Sequence, residues 1–206
     1  MHSLIVDCKG LPCPQPVIRI RQALQTASPE SVLVLVDNDP ARENACRFLA
    51  SRGYAVAYAA DAGIWRITAT RGEGVAPVPP HSIAAPRPSA ASGEEARTLI
   101  VLLAPVLGVG DETLGGKLMK NFLATLPEMG ESLWRIVMLN GGVQLAVHGS
   151  PVLEELLALE RSGVSILVCG TCLAHFGLLH NKAVGETTNM LDIVTSMHVA
   201  EKIIRM

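Results

Sequence analysis

The chain has 206 residues, 49% hydrophobic and 3% aromatic, with 17 basic and 19 acidic side chains, a formal net charge of −2 and five cysteines. That length suits one large domain or two small ones, while the lack of a basic excess and the scarcity of aromatics exclude a duplex-DNA binder and a base-stacking platform, so no nucleic-acid partner is expected. The longest apolar stretch, residues 99–110, is broken by Pro105 and is too short to cross roughly 30 Å of hydrocarbon, so no membrane partner is expected either.

The start, MHSLIVDCKG, lacks a basic segment followed by a long apolar run and a small-residue cleavage site, so no secretory signal is read and the expected location is the cytoplasm. In that reducing compartment an odd number of cysteines serves as core, metal-binding or reactive thiols rather than as a disulfide framework. Residues 4–7 read as a short strand and residues 14–27 as a helix with Val17, Ile20 and Leu24 on one side. Residues 32–36 are a continuous aliphatic run typical of a buried strand. Asp39 as N-cap and Pro40 at the first helical position open a second helix, which Gly53 stops. Residues 54–59 and 64–70 pair as a hairpin across residues 60–63. The order βαβαββ describes a two-layer α/β sandwich over residues 1–72. Residues 73–96, rich in Pro, Ala, Ser and Gly, read as a linker that could span on the order of 70 Å extended and roughly 25 to 30 Å on average.

Residues 97–206 form the second expected domain. Residues 98–103 are a buried strand, followed by a helix with Leu114, Leu118, Phe122 and Leu126 at i+4 spacing and ended by Pro127. Residues 133–139 are a strand, Ser150-Pro151 caps a helix reaching Gly163, and residues 164–168 are a third strand. Met190, Ile193, Val194 and Met197 mark a last amphipathic helix, and residues 202–206 a closing edge strand. Strands alternating with helices imply a parallel sheet, hence a parallel-sheet α/β domain.

Cys13 lies in Leu11-Pro12-Cys13-Pro14-Gln15-Pro16, between the first strand and the first helix, as an N-cap or first-turn residue. A helix N-terminus stabilises a thiolate, and Pro14 and Pro16 stiffen the loop at little cost there, which suits a nucleophile. The competing reading is a small buried cysteine at a tight turn. Residues 7–17 resemble the signature of TusA/SirA-like sulfur carriers, in which a Gly-Leu-x-Cys-Pro-x-Pro segment opens the first helix, and the resemblance covers residues 3–71. It implies that Cys13 carries sulfane sulfur as a persulfide. Cys8 lies outside the motif position and is read as structural, with a resolving disulfide to Cys13 as the alternative, and Cys46, beside Phe48 and Leu49, is read as core.

Cys169-Gly170-Thr171-Cys172 ends a buried strand, and the carboxyl ends of parallel strands are where α/β proteins place ligand sites. A C-x-x-C pair can do redox or transfer chemistry, bind metal, or pack in the core; Cys169, Cys172, His175 and His180 are the conceivable zinc ligands. Asn140-Gly141-Gly142 follows a strand, and its glycines are expected to permit positive φ. Residues 110–118 fall short of a phosphate loop, because Asp111 stands where a glycine and Leu118 where Ser or Thr should be. No cofactor is therefore expected. The segments Leu139-Asn140-Gly141-Gly142-Val143, Cys169-Gly170-Thr171-Cys172-Leu173 and Val184-Gly185-Glu186-Thr187-Thr188-Asn189-Met190 resemble DsrE-like domains, and the fusion of the two types is similar to the YedF proteins of selenium metabolism. The resemblance implies a sulfurtransferase-like protein that works with sulfur or selenium donor and acceptor proteins and forms homo-oligomers through its C-terminal domain.

The expectation is a persulfide relay between Cys13 and the Cys169/Cys172 site, with Asn140, Gly141, Gly142, Gly170 and Thr171 in support. The alternative is a redox- or metal-responsive regulatory module without turnover.

Overall fold

The computed structural model divides into two compact units, Met1–Ala90 and Ala91–Met206, within which residues 3–27, 29–71 and 97–206 are described. The expected linker, residues 73–96, lies outside the described residues.

In the first unit, β1 (Ser3–Asp7), α1 (Gln15–Ala27), β2 (Ser31–Val36), α2 (Asp39–Ser51), β3 (Tyr54–Asp61) and β4 (Ile64–Arg71) follow in chain order. The sheet runs β1-β2-β4-β3, with β1 parallel to β2 and the remaining pairs antiparallel. Along β2, Val32, Val34 and Val36 are buried and the intervening residues are not, the alternation of a sheet covered on one face only. Ile20, Ala45, Phe48 and Leu49 of the two helices supply the covering layer, so the unit is the expected two-layer α/β sandwich. The α2 cap lies one residue earlier than the sequence suggests. Asn38 accepts the Ala41 N–H at 2.9 Å, and Asp39 is the first helical residue. The β3–β4 turn is tighter than expected, because Asp61 pairs with Ile64 and leaves only Ala62 and Gly63, both at positive φ (49° and 82°).

In the second unit, β5 (Thr98–Leu102), α3 (Glu112–Thr125), β6 (Leu133–Met138), α4 (Leu153–Arg161), β7 (Ser165–Cys169), α5 (Gly170–His175), β8 (Glu186–Thr188), α6 (Met190–Val199) and β9 (Lys202–Arg205) alternate throughout. All five strands are parallel, in the order β8-β7-β6-β5-β9. β5 is buried along its whole length, as befits a strand covered on both faces. Each fully buried aliphatic side chain there contributes roughly 1.5 to 3 kcal/mol of apolar transfer.

Four sequence expectations are corrected. On α3 the inward row is Gly115, Met119 and Leu123, whereas Leu114 and Leu118 are 56% and 42% exposed. On α6 the inward residues are Ile193 and Ser196, with Met190 and Val194 outside, because the Ser196 hydroxyl accepts from Arg135 Nη1 at 2.7 Å under the sheet. The α4 helix begins at Leu153 without a side-chain cap, since residues 150–152 form a turn ahead of it. Pro127 does not stop the chain abruptly either: α3 ends at Thr125 and a 3-10 segment, Leu126–Ser132, carries Pro127 in its first turn.

Candidate functional site: two thiol loops

β1 and β2 are parallel, and the loop that leaves β1 carries Cys13. The Cys8 N–H donates to the Leu35 carbonyl at 2.8 Å, extending the ladder by one step before the chain turns away. The Gly10 N–H then donates to Asp37 Oδ2 at 2.6 Å. Lys9 donates its N–H to Asp7 Oδ1 at 3.1 Å, which holds the Asp7 carboxyl below its usual range. Arg19 Nη1 donates to the Asp7 carbonyl at 2.8 Å and ties α1 to the strand end. The Pro14 carbonyl accepts the Ile18 N–H at 3.3 Å, so Pro14 occupies the cap position. Cys13 stands one residue ahead of it, not at the cap itself as the sequence suggests, and its thiol is exposed, which sets aside the buried-turn reading. Pro16 is buried and its carbonyl accepts from the Cys8 thiol at 3.8 Å. Sequence alone does not single out Asp37. The only signal for it is an acidic residue directly after β2, and such residues are common at strand ends.

The second loop lies where β6 and β7 end side by side. Cys169, the last residue of β7, is 3% exposed and belongs to the core, while Cys172, in the first turn of α5, is half-buried. The Cys172 sulfur accepts the Asn140 N–H at 3.2 Å. Asn140 reaches it from the end of β6 in a left-handed conformation, φ 48°, which Asn tolerates better than most residues. The positive φ thus belongs to Asn140 and not, as expected, to the glycines after it. Their role is close approach: a Cβ on Gly142 would fall on the Leu102 carbonyl, and one on Gly141 would stand 3.1 Å from Pro105 Cδ. Gly170 is buried at the start of α5 and Thr171 is exposed. Among the described residues, no group of three or more His, Cys, Asp or Glu side chains is placed to hold a metal ion, so Cys169, Cys172, His175 and His180 do not form the conceived zinc cluster. Nor, among them, is any helix long and apolar enough to cross a membrane.

Burial separates the five thiols into two sets. It pushes Cys8 and Cys46 up to about 11 from an ordinary 9.0, against the smaller opposing pull of Arg19 and Arg42 respectively. It pushes Cys169 up to about 12, opposed by the backbone N–H of Cys172 and reinforced by the Cys172 side chain. Cys46 is half-buried rather than fully within the core. Because the folded state holds these protons more tightly than the unfolded chain, the associated stability is complete below pH 9 and declines as the pH rises through about 11. At pH 8 iodoacetamide should therefore modify the accessible Cys13 and Cys172 first. Thiols raised by two pH units have roughly a hundredfold less thiolate and should react correspondingly more slowly, as peptide mapping would show. Equal labelling of all five would contradict this division.

Residues 4–71 match the sulfurtransferase TusA family. The SirA-like protein from Desulfitobacterium hafniense is 37% identical over 34% of this chain and 99% of its own, with a TM-score of 0.31. The ychN protein from E. coli is 16% identical over 53% of this chain and 99% of its own, with a TM-score of 0.43. A conserved protein of unknown function from Bacteroides thetaiotaomicron is 17% identical over 53% of this chain and 95% of its own, with a TM-score of 0.37. No curated protein matches the chain.

Proposed function

The chain belongs to the sulfurtransferase TusA family through residues 4–71, whose domains relay sulfur between partner proteins, and from that premise we propose that Cys13 takes sulfane sulfur from a donor and passes it to Cys172. The observation that carries the reading is the exposed Cys13 on a loop held from both sides, by Asp37 at Gly10 and by the start of α1 at Pro14. In the first step the Cys13 thiolate attacks the outer sulfur of a donor persulfide. The donor S–S bond breaks, the donor leaves as thiolate, and Cys13 becomes the persulfide. In the second step the Cys172 thiolate attacks the outer sulfur on Cys13, which leaves as thiolate in turn.

The resemblance of the second unit to DsrE-like domains supports a thiol acceptor there, and accessibility favours Cys172 over Cys169 for the attack. The Asn140 N–H stabilises negative charge on the Cys172 sulfur as it forms or leaves. Covalent connection through residues 72–96 raises the concentration of one thiol near the other toward roughly the millimolar range. Selenium, with the same valence chemistry, is the alternative cargo that the similarity to YedF proteins suggests, and the cytoplasm is the compartment that keeps an odd set of thiols reduced. Self-association of the second unit is the further expectation that its resemblance to DsrE-like domains carries.

The test is the Cys172→Ser full chain loaded with labelled sulfane sulfur. Label should reach the fragment of residues 10–19, which contains Cys13, and stay there. In the unsubstituted chain it should move to the fragment of residues 162–182. Undiminished transfer into residues 162–182 of the variant would contradict the assignment of Cys172.

A further inference from the structure

The relay leaves Cys169 without a task, although its position is specific. It is 3% exposed, at the end of β7, so neither a protein donor nor an external persulfide can reach it. Its side chain nevertheless interacts directly with that of Cys172. The strand-to-helix turn sets the two residues at an i, i+3 spacing, with Cα atoms roughly 5 to 6 Å apart in such a first turn, inside the range a disulfide requires. The Asn140 N–H holds the Cys172 sulfur from a third element. One thiol is thus open to incoming sulfur, and a second is reachable only by what the first has taken up.

Resting on the reading of Cys172 as a sulfur acceptor, we infer that Cys169 and Cys172 form a sulfide-releasing pair, in which the inner thiol discharges a persulfide formed on the outer one. In this step the Cys169 sulfur attacks Cys172 Sγ. A Cys169–Cys172 bond forms, and the bond from Cys172 Sγ to the outer sulfur breaks. Cys169–SH and Cys172–S–SH become the disulfide and H2S. The outer sulfur is reduced by two electrons, the two cysteine sulfurs together lose two, and the Cys169 proton leaves with the sulfide. A dithiol reductant then restores both thiols by exchange and leaves as its own disulfide. Cys169 is enclosed and burial raises its thiol, so the inner sulfur does not compete for incoming cargo. The substrate class is a protein-bound sulfane sulfur, and the product is free sulfide for a consumer that needs the reduced element.

The experiment treats the reduced full chain anaerobically with inorganic polysulfide, removes the excess, and maps residues 162–182 by mass while measuring sulfide. The unsubstituted chain should show a fragment lighter by about 2 Da, the loss of two hydrogens on disulfide formation. Cys169→Ala should instead keep an adduct of about 32 Da on Cys172, one persulfide sulfur, with sulfide release down at least about tenfold. An adduct on Cys172 of the unsubstituted chain that persists as long as in Cys169→Ala, without disulfide, would overturn the release step and leave the relay standing. Sulfur on Cys13 with none ever reaching Cys172 would overturn both. Mapping of the unsubstituted chain keeps the result decisive even if Cys169→Ala does not fold.

Discussion

Cys13→Ser is expected to abolish sulfane sulfur uptake by the first unit, reducing the adduct on residues 10–19 to background while leaving the fold intact. Two features set the size of the effect. Of the first unit's three thiols, Cys8 is enclosed beneath the Pro16 carbonyl and Cys46 is half-buried, and burial raises both to about 11, so neither substitutes as a carrier near neutral pH. Serine lacks a nucleophilic thiolate and cannot form a persulfide at all. The Cys13 side chain is exposed, so stability should change by less than about 0.5 kcal/mol. Intact-mass measurement beside a thermal melt checks both halves. Persistent uptake on another cysteine at the same rate would show that the loop is not the entry point.

The second large effect falls on Gly142. Its Cβ would land on the backbone of Leu102, the end of β5, while the Leu139 N–H already donates to that same carbonyl at 3.0 Å. Backbone on backbone leaves no flexible side chain to yield. Gly142→Ala should therefore cost about 3 kcal/mol, the upper part of the range for overpacked sites. The second unit's melting temperature should fall by on the order of 10 °C. The turn that carries the Asn140 N–H should also lift away from Cys172, so sulfur transfer into residues 162–182 weakens even below the melt while loading of Cys13 continues. Gly116→Ala on α3 is the control, because a Cβ there meets nothing within 4 Å, and helix propensity favours alanine by up to about 1 kcal/mol. Calorimetry and hydrogen exchange over residues 133–146 separate the two variants. Equal stability would mean that the turn is not pinned to β5.

Why some of this was legible in the sequence, and some not, follows from particular residues. The aliphatic run of β5 announces a strand buried on both faces, whereas the similar run of β2 announces a strand but not that only Val32, Val34 and Val36 face the core. The Cys13 loop is legible because its motif is local. The facing of α3 is not. Two apolar rows lie side by side on it, and the bulkier row of Leu114 and Leu118 attracts attention. Gly115 decides the matter, since a Cβ there would stand 3.0 Å from Val106 Cβ and 3.1 Å from the Leu107 carbonyl. The absence of a side chain is what turns that row inward. α5, with six residues, is too short to display a period, and β8 is a polar edge strand of three. The contact from Asn140 to Cys172 spans 32 positions and depends on how β6 and β7 align, which no local pattern encodes. Spacing alone likewise could not rank Cys169 against Cys172; a core position for one and partial exposure for the other separates them.

The central claim is the order of events, with entry at Cys13 and arrival at Cys172. A single-turnover time course reads that order directly: the reduced full chain is mixed with a labelled persulfide donor under anaerobic conditions, quenched by alkylation, and mapped at residues 10–19 and 162–182. The relay predicts label first on residues 10–19, then its decay there matched by a rise of label or disulfide on residues 162–182, with both signals absent in Cys13→Ser. Label reaching residues 162–182 at full rate in Cys13→Ser would contradict it.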